Sequence, residues 1–120
     1  KNLSSRLEDA GVLMMFNYGS HNSHLMRQGA GIAVANGMSY GGAIKALTSN
    51  VASSFNIEDR GSISPGKVAD LVIWEADPLE PSSMPEKVFI NGIDIDLTTR
   101  STRLRDRYTK NLDKPNTYRN

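Results

Sequence analysis

The 120 residues amount to one domain's worth of chain, with 38% hydrophobic residues and a formal net charge of +1. A charge so near neutral gives no field to draw the chain to nucleic acid or a membrane surface, and no run approaches the ~18 apolar residues of a membrane-spanning helix. The absence of cysteine excludes disulfides, thiolate metal sites and cysteine nucleophiles within these residues.

Ordinary globular domains are ~45–50% apolar when glycine is counted, and the 10 glycines bring this chain near that norm. Its apolar residues gather in 11–57 and 68–97. The chain opens Lys1-Asn2-Leu3, without Met and without a signal peptide. That reads either as a segment of a longer protein or as a processed N-terminus.

Ser5-Arg6-Leu7-Glu8 fits a capping box and Gly11 a helix stop, so a short helix lies at the start. Val12-Leu13-Met14-Met15-Phe16 is apolar on both faces, the pattern of a strand buried in a parallel sheet. A polar loop follows, 17–23, with both histidines of the chain, His21 and His24, in or beside it. A helix is expected from His24 to Asn36, carried by Leu25, Met26, Ala30, Ala33 and Val34 and stopped by Gly37. Gly29 and Gly31 weaken it by about 1 kcal/mol each relative to Ala, which close packing against another element would explain. Ser39 can cap a second helix through Ala43, Ile44 and Leu47, and Asn50 a third from Val51 to Phe55. Strand, polar loop and helix in that order make half of a βαβ unit.

The pattern changes near Glu58. Gly61 and Pro65-Gly66 are turn signals, the latter suited to a type II turn. Asp70 precedes a strand, Leu71–Trp74, and is expected to fix the start of a hairpin. A second strand runs Lys87–Ile90. Asn91-Gly92 is a type I′ hairpin signal, and Ile93 to Leu97 alternates strictly. Leu104, Tyr108 and Leu112 at spacing four then mark an amphipathic helix. Its basic residues, Arg100, Arg103, Arg105, Arg107 and Lys110, read as a solvated face. Two or three strands are marginal without a covering face, and the strand at 12–16 has no parallel neighbour in the chain. Both halves lack their complement.

"GSISPGKVADLVIWEADPLE", Gly61 to Glu80, resembles the C-terminal signature of the metal-dependent amidohydrolase superfamily, in its imidazolonepropionase-like branch. That signature runs roughly G-S-[IL]-x-P-G-K-x-A-D-[LIV]-V-[LIV]-W-x-x-D-P-L. Thr48-x-Asn50-x-Ala52 resembles the T-x-N-x-A element that precedes it, and Val88-Phe89-Ile90-Asn91-Gly92 the strand and turn that follow. Thr102 to Tyr108 is similar to the tail of one bacterial subgroup, so the resemblance runs from about Leu7 to about Asp113.

The resemblance implies an α/β fold: the last strand and helices of a (β/α)8 TIM-like barrel, part of a small β-sandwich, and a C-terminal helix. The expected division is barrel end 1–57, sandwich part 58–98, helix and tail 99–120. It implies hydrolysis of an amide, cyclic amide or peptide-like C–N bond. A divalent metal, zinc by preference, would be held mainly by residues outside this chain. The implied partners are the missing N-terminal part of the same protein and a small-molecule substrate. Nucleic acid and membrane are not expected; self-association through unpaired sheet edges is a further option. The setting implied is the bacterial periplasm or cytoplasm.

The end of strand eight in such proteins typically reads Ser-Asp, the Asp serving as metal ligand and proton carrier. Here the matching residues are Tyr18-Gly19 or Gly19-Ser20, and neither pair has a carboxylate. Glu8 and Asp9 lie before the strand and cannot reach its far end. Three readings stand open. His21 replaces the Asp as base or metal ligand, a role its unperturbed pKa suits, with Ser20 and Asn22 orienting substrate or water. Or hydrolysis is lost and the protein binds a ligand or serves as structure. Or His21 and Asn22 only tie the loop down, and the base comes from elsewhere. His24 reads as surface or packing. Met14, Met15 and Met26 read as core or pocket lining, Lys67 as exposed turn, and Trp74 as packing between sandwich and barrel. Arg27 faces either the barrel mouth or an adjacent helix.

Overall fold

The computed structural model describes residues 3–19 and 21–110. Helix α1, Leu3–Asp9, ends at Gly11, whose φ of +71° a side chain would resist. Gly11 N–H donates to the Glu8 carbonyl at 2.9 Å and Val12 N–H to that of Leu7 at 3.0 Å, the paired bonds of a Schellman stop. The expected capping box at Ser5 does not form, because the helix has begun two residues earlier and Ser5 is buried inside it. Glu8 is used instead across the fold. Its carboxylate accepts the Ser39 N–H at 2.7 Å and the Ser39 hydroxyl.

Ser23–Leu25 is a single 3-10 turn, and helix α2 is Met26–Ala35. The expected start at His24 is therefore a tighter turn before the α-helix proper. Gly37 stops α2 with φ +103°. Ser39 caps α3, Tyr40–Leu47, by accepting the Gly42 N–H at 2.9 Å. A Cβ on Gly42 would come within 2.0 Å of the Glu8 carboxylate. Ser39 thus joins α1 to the start of α3, and Gly42 leaves room for the joint.

Helix α4, Ser49–Ser54, begins one residue before Asn50. The expected Asn50 cap is absent, because its amide donates to the Met14 carbonyl at 2.9 Å, pinning the segment before the polar loop. The core is built mainly from small residues: Ala30 and Ala33 of α2, Ala43 and Ala46 of α3, with Met38 and Leu79. Alanine at these positions lets the two helices approach closely. Gly31 continues that logic, since a Cβ there would stand 2.8 Å from the Leu79 carbonyl. Gly29 has nothing near it, so close packing explains only one of the two glycines.

The turn signals after Glu58 are realised. Gly61 has φ +83°, and a Cβ there would sit 2.6 Å from that of Ala52 on α4. Gly66 has φ +84° and Lys67 N–H donates to the Ser64 carbonyl at 3.2 Å, a type II turn. Strands β1 (Leu71–Trp74), β2 (Pro85–Ile90) and β3 (Ile93–Asp94) form one antiparallel sheet in that order. Asn91 and Gly92, at φ +53° and +76°, make the tight turn between β2 and β3. β2 is longer than expected at its start and β3 shorter at its end. Asp70 holds the hairpin as expected: it accepts the Asn91 N–H at 2.8 Å and pairs with Arg60. The Asn91 bond, and then the Arg60 charge, keep its carboxyl below the ordinary carboxylate range.

The expected strand over Val12–Phe16 is not formed. Val12, Leu13 and Met15 are 47%, 60% and 47% exposed, so Met15 is not core, although Met14 and Phe16 lean on the alanine core. A strand exists only against a hydrogen-bonded neighbour, and among the described residues none lies alongside; Phe16 N–H reaches only the Ala46 carbonyl, 3.2 Å away.

Helix α5, Arg100–Thr109, opens with a capping box between Thr99 and Thr102. Asp96 just before it is held below the usual carboxylate range by the Thr98 hydroxyl and N–H, with the Arg103 charge adding to them. Leu104 and Tyr108 are 40% and 70% exposed; Leu112, expected in the same stripe, lies outside the described residues.

Candidate functional site

The polar loop leaves the irregular segment at Asn17 and enters the 3-10 turn at Ser23. The turn is closed by the Leu25 N–H donating to the Asn22 carbonyl at 2.9 Å. His21, Asn22 and His24 are all exposed. The His21 side chain makes no hydrogen bond or ion pair to any described residue. Ser20 lies outside the described residues.

Two residues beyond the 3-10 turn, Arg27 clasps the 78–83 loop. Its guanidinium donates to the carbonyls of Pro78 (3.0 Å), Glu80 (2.5 Å), Pro81 (3.1 Å) and Ser83 (2.9 Å). Its carbon centre also stands 4.9 Å from the Trp74 ring centroid, a cation–π contact. Five donors in a flat fork suit this task, and lysine could not repeat it. Trp74 therefore joins sheet to helices through Arg27. Asp77 adds a second tie, accepting the Tyr40 hydroxyl at 3.0 Å and the Leu79 N–H at 2.8 Å. Burial first, and then Asp77, raise the Tyr40 phenol above its ordinary pKa.

This joint walls a cleft of about 590 Å³. Leu25, Met26 and Leu47 line it from the helices, Trp74 and Met84 from the sheet side, and His24 stands at its edge. Met26 is thus pocket lining and His24 surface, as expected. A second hollow, about 370 Å³, lies under the Gly61 turn between Ser49, Ser53, Arg60 and Lys67; Lys67 is half-buried there and not fully exposed.

Among the described residues no three His, Asp or Glu side chains stand close enough to hold a metal ion. The described residues therefore do not fit a metal centre by themselves. Arg27 carried no sequence signal, since nothing in the order of residues pairs position 27 with positions 78–83. Glu8 likewise reads as part of a cap until Ser39 is seen beside it.

The joint ties the Gly61–Glu80 signature to the helices that follow the polar loop, so the two stretches form one unit. The family model of the amidohydrolase family matches residues 7–92, running through both. The chain belongs to the amidohydrolase family. A 33-residue stretch is 58% identical to an imidazolonepropionase of Pyrobaculum arsenaticum, covering 28% of this chain and 8% of that protein. The crystal structure of an amidohydrolase from Thermotoga maritima superposes with a TM-score of 0.65 at 34% identity. It covers 76% of this chain, and this chain covers 24% of it. The chain thus spans only a small part of the length of both relatives. The amidohydrolase signature and the turn that follows it are built from backbone needs: Gly61 and Gly66 within it and Gly92 after it hold positive φ, and Asp70 ties its own end of β1 to that later turn.

Proposed function

We propose that this chain is the C-terminal segment of a metal-dependent amidohydrolase that cleaves a C–N bond of an amide, cyclic amide or peptide-like substrate. The observation that carries the reading is the continuous family match over 7–92, which includes the polar loop as well as the signature. Residues 12–16 are then the eighth barrel strand, waiting for a neighbour from the N-terminal part, and residues 58–98 complete a β-sandwich with strands from the same part. The exposure of Val12, Leu13 and Met15, and of Val72 and Ile73 on β1, supports this, since each is apolar surface that a partner would cover.

On this reading the loop 17–24 sits at the rim of the active site. His21 serves as the proton carrier or a single ligand where relatives have an Asp, and Ser20 and Asn22 orient the substrate. The metal, zinc by preference, is held mainly outside the chain. The test is to assay the complete protein on amide, cyclic amide and short peptide substrates with bound metal quantified, alongside His21→Ala. Metal-dependent turnover that His21→Ala abolishes supports the assignment.

A second reading is favoured by one observation: no carboxylate lies between Asn17 and His24. In that case the protein is a non-catalytic relative that binds a ligand or serves as a structural subunit. A complete protein without turnover or bound metal would decide for it and against the first reading.

A further inference from the structure

Thr48, Asn50 and Ala52 stand at the break between α3 and α4, and each has a different task there. The Thr48 hydroxyl donates to the Ile44 carbonyl at 2.7 Å and closes the last turn of α3. The Thr48 backbone, at φ −132° and ψ −92°, leaves the helical path, and α4 begins at Ser49. Ala52 lies against the Gly61 turn. A Cβ on Gly61 would stand 2.6 Å from that of Ala52 and 3.2 Å from the Thr48 carbonyl oxygen. The signature turn therefore holds the break in place.

Asn50 is the second residue of α4, yet its side-chain amide works outside that helix. It donates to the Met14 carbonyl, 36 residues away in the chain, at 2.9 Å in a partly buried setting. Phe16 N–H donates to the Ala46 carbonyl of α3 at 3.2 Å. Both bonds run to α3 and α4, and both fall just before Asn17, where the polar loop begins. A role in α4 alone does not account for the amide. Near a helix N-terminus the dipole favours an aspartate, whereas only a donor can satisfy the Met14 carbonyl.

We infer that Asn50 is a positioning residue for the polar loop: anchored by the Thr48 break and the Gly61 turn, its amide fixes the exit of residues 12–16 and so the point from which Asn17 to His24 departs. The inference rests on the proposed place of that loop at the rim of the active site. It gives the Thr48-x-Asn50-x-Ala52 spacing a physical reason. Thr48 ties Asn50 to α3 and Ala52 ties it to the signature, so the loop and the signature are held in one register through a single side chain.

The test uses the complete protein at neutral pH with Asn50→Ala and Asn50→Asp. The aspartate variant keeps the size of the side chain and suits the first turn of α4, so it folds, but it has no proton to donate. Both variants are expected to speed amide exchange at residues 15–19 at least about tenfold, with the amides of β1 and β2 exchanging as in wild type. On a substrate that the wild type turns over, kcat is expected to fall about 10–100-fold with KM nearly unchanged, the loss a displaced but intact site gives. An Asn50→Asp protein whose residues 15–19 exchange as in wild type would overturn the inference. So would exchange that rises equally across the sheet, which makes Asn50 a general support of the fold, or an unchanged kcat beside a loosened loop. The exchange measurement does not depend on turnover. If the complete protein hydrolyses nothing, the proposed function fails, while the amides of residues 15–19 still decide for or against Asn50.

Discussion

The helices from Met26 to Ser54 and the segment from Val12 to Phe16 both read in the sequence as regular structure, yet only the helices form it. The helices satisfy their backbone bonds internally and need a neighbour only for their apolar stripes, which Ala30, Ala33, Ala43 and Ala46 give one another. Residues 12–16 carry an equally strong apolar pattern but need backbone partners on both sides. Pattern alone states that a segment is to be buried; whether it becomes a strand depends on a chain that lies beside it. On the proposed function the unformed strand marks where a partner belongs.

The contrast can be sharpened first at the loop following the unformed strand. On the proposed function, His21→Ala in the complete protein lowers kcat by about 10²–10⁴-fold, the usual worth of a proton-transferring side chain. An unchanged kcat would remove His21 from the chemistry. In the well-formed region the expected effects are on stability. Gly61→Ala forces a Cβ into Ala52 at positive φ and should cost about 2–4 kcal/mol in denaturant unfolding. A neutral result would mean the Gly61 turn can move away from α4.

Arg27→Ala comes next. It removes four carbonyl bonds and the Trp74 contact, which should cost about 2–3 kcal/mol. Arg27→Lys should recover only part of that, because an ammonium cannot span four carbonyls. Full recovery by lysine would show that charge alone holds the 78–83 loop. The smallest effect belongs to Asp70. Its carboxyl is held low in the folded state, so its contribution is complete above the ordinary carboxylate pKa of about 3.9 and is lost as the pH falls through the lower folded value. Melting curves of wild type and Asp70→Asn should differ at neutral pH and converge in acid. A difference that persists in acid would place Asp70's role in shape and not in charge.

Much of this architecture is legible in the sequence, and the misses share a cause. Gly11, Gly37, Ser39, Pro65-Gly66 and Asn91-Gly92 act within a few residues of themselves, and each does what its type predicts. Ser5, Glu8 and Asn50 also carry cap signals, but Glu8 and Asn50 have long-range partners in Ser39 and Met14, and Ser5 lies inside a helix already begun. Arg27 is the extreme case: its partners lie more than fifty residues away and are all backbone carbonyls, which no side-chain pattern can announce. The candidate site is legible only in part. His21 and Asn22 are recognisable as loop residues, but the chemistry proposed for them depends on groups supplied from elsewhere.

The central claim is that residues 12–16 become a barrel strand when the rest of the protein supplies their neighbours. Amide hydrogen exchange over residues 12–18, measured in the complete protein and in this 120-residue segment alone, tests it most directly. The account predicts amides that exchange rapidly in the segment and are protected at least about a hundredfold in the complete protein, as strand hydrogen bonds require. Equal and rapid exchange in both would contradict it, and the polar loop would then have no barrel rim to stand on.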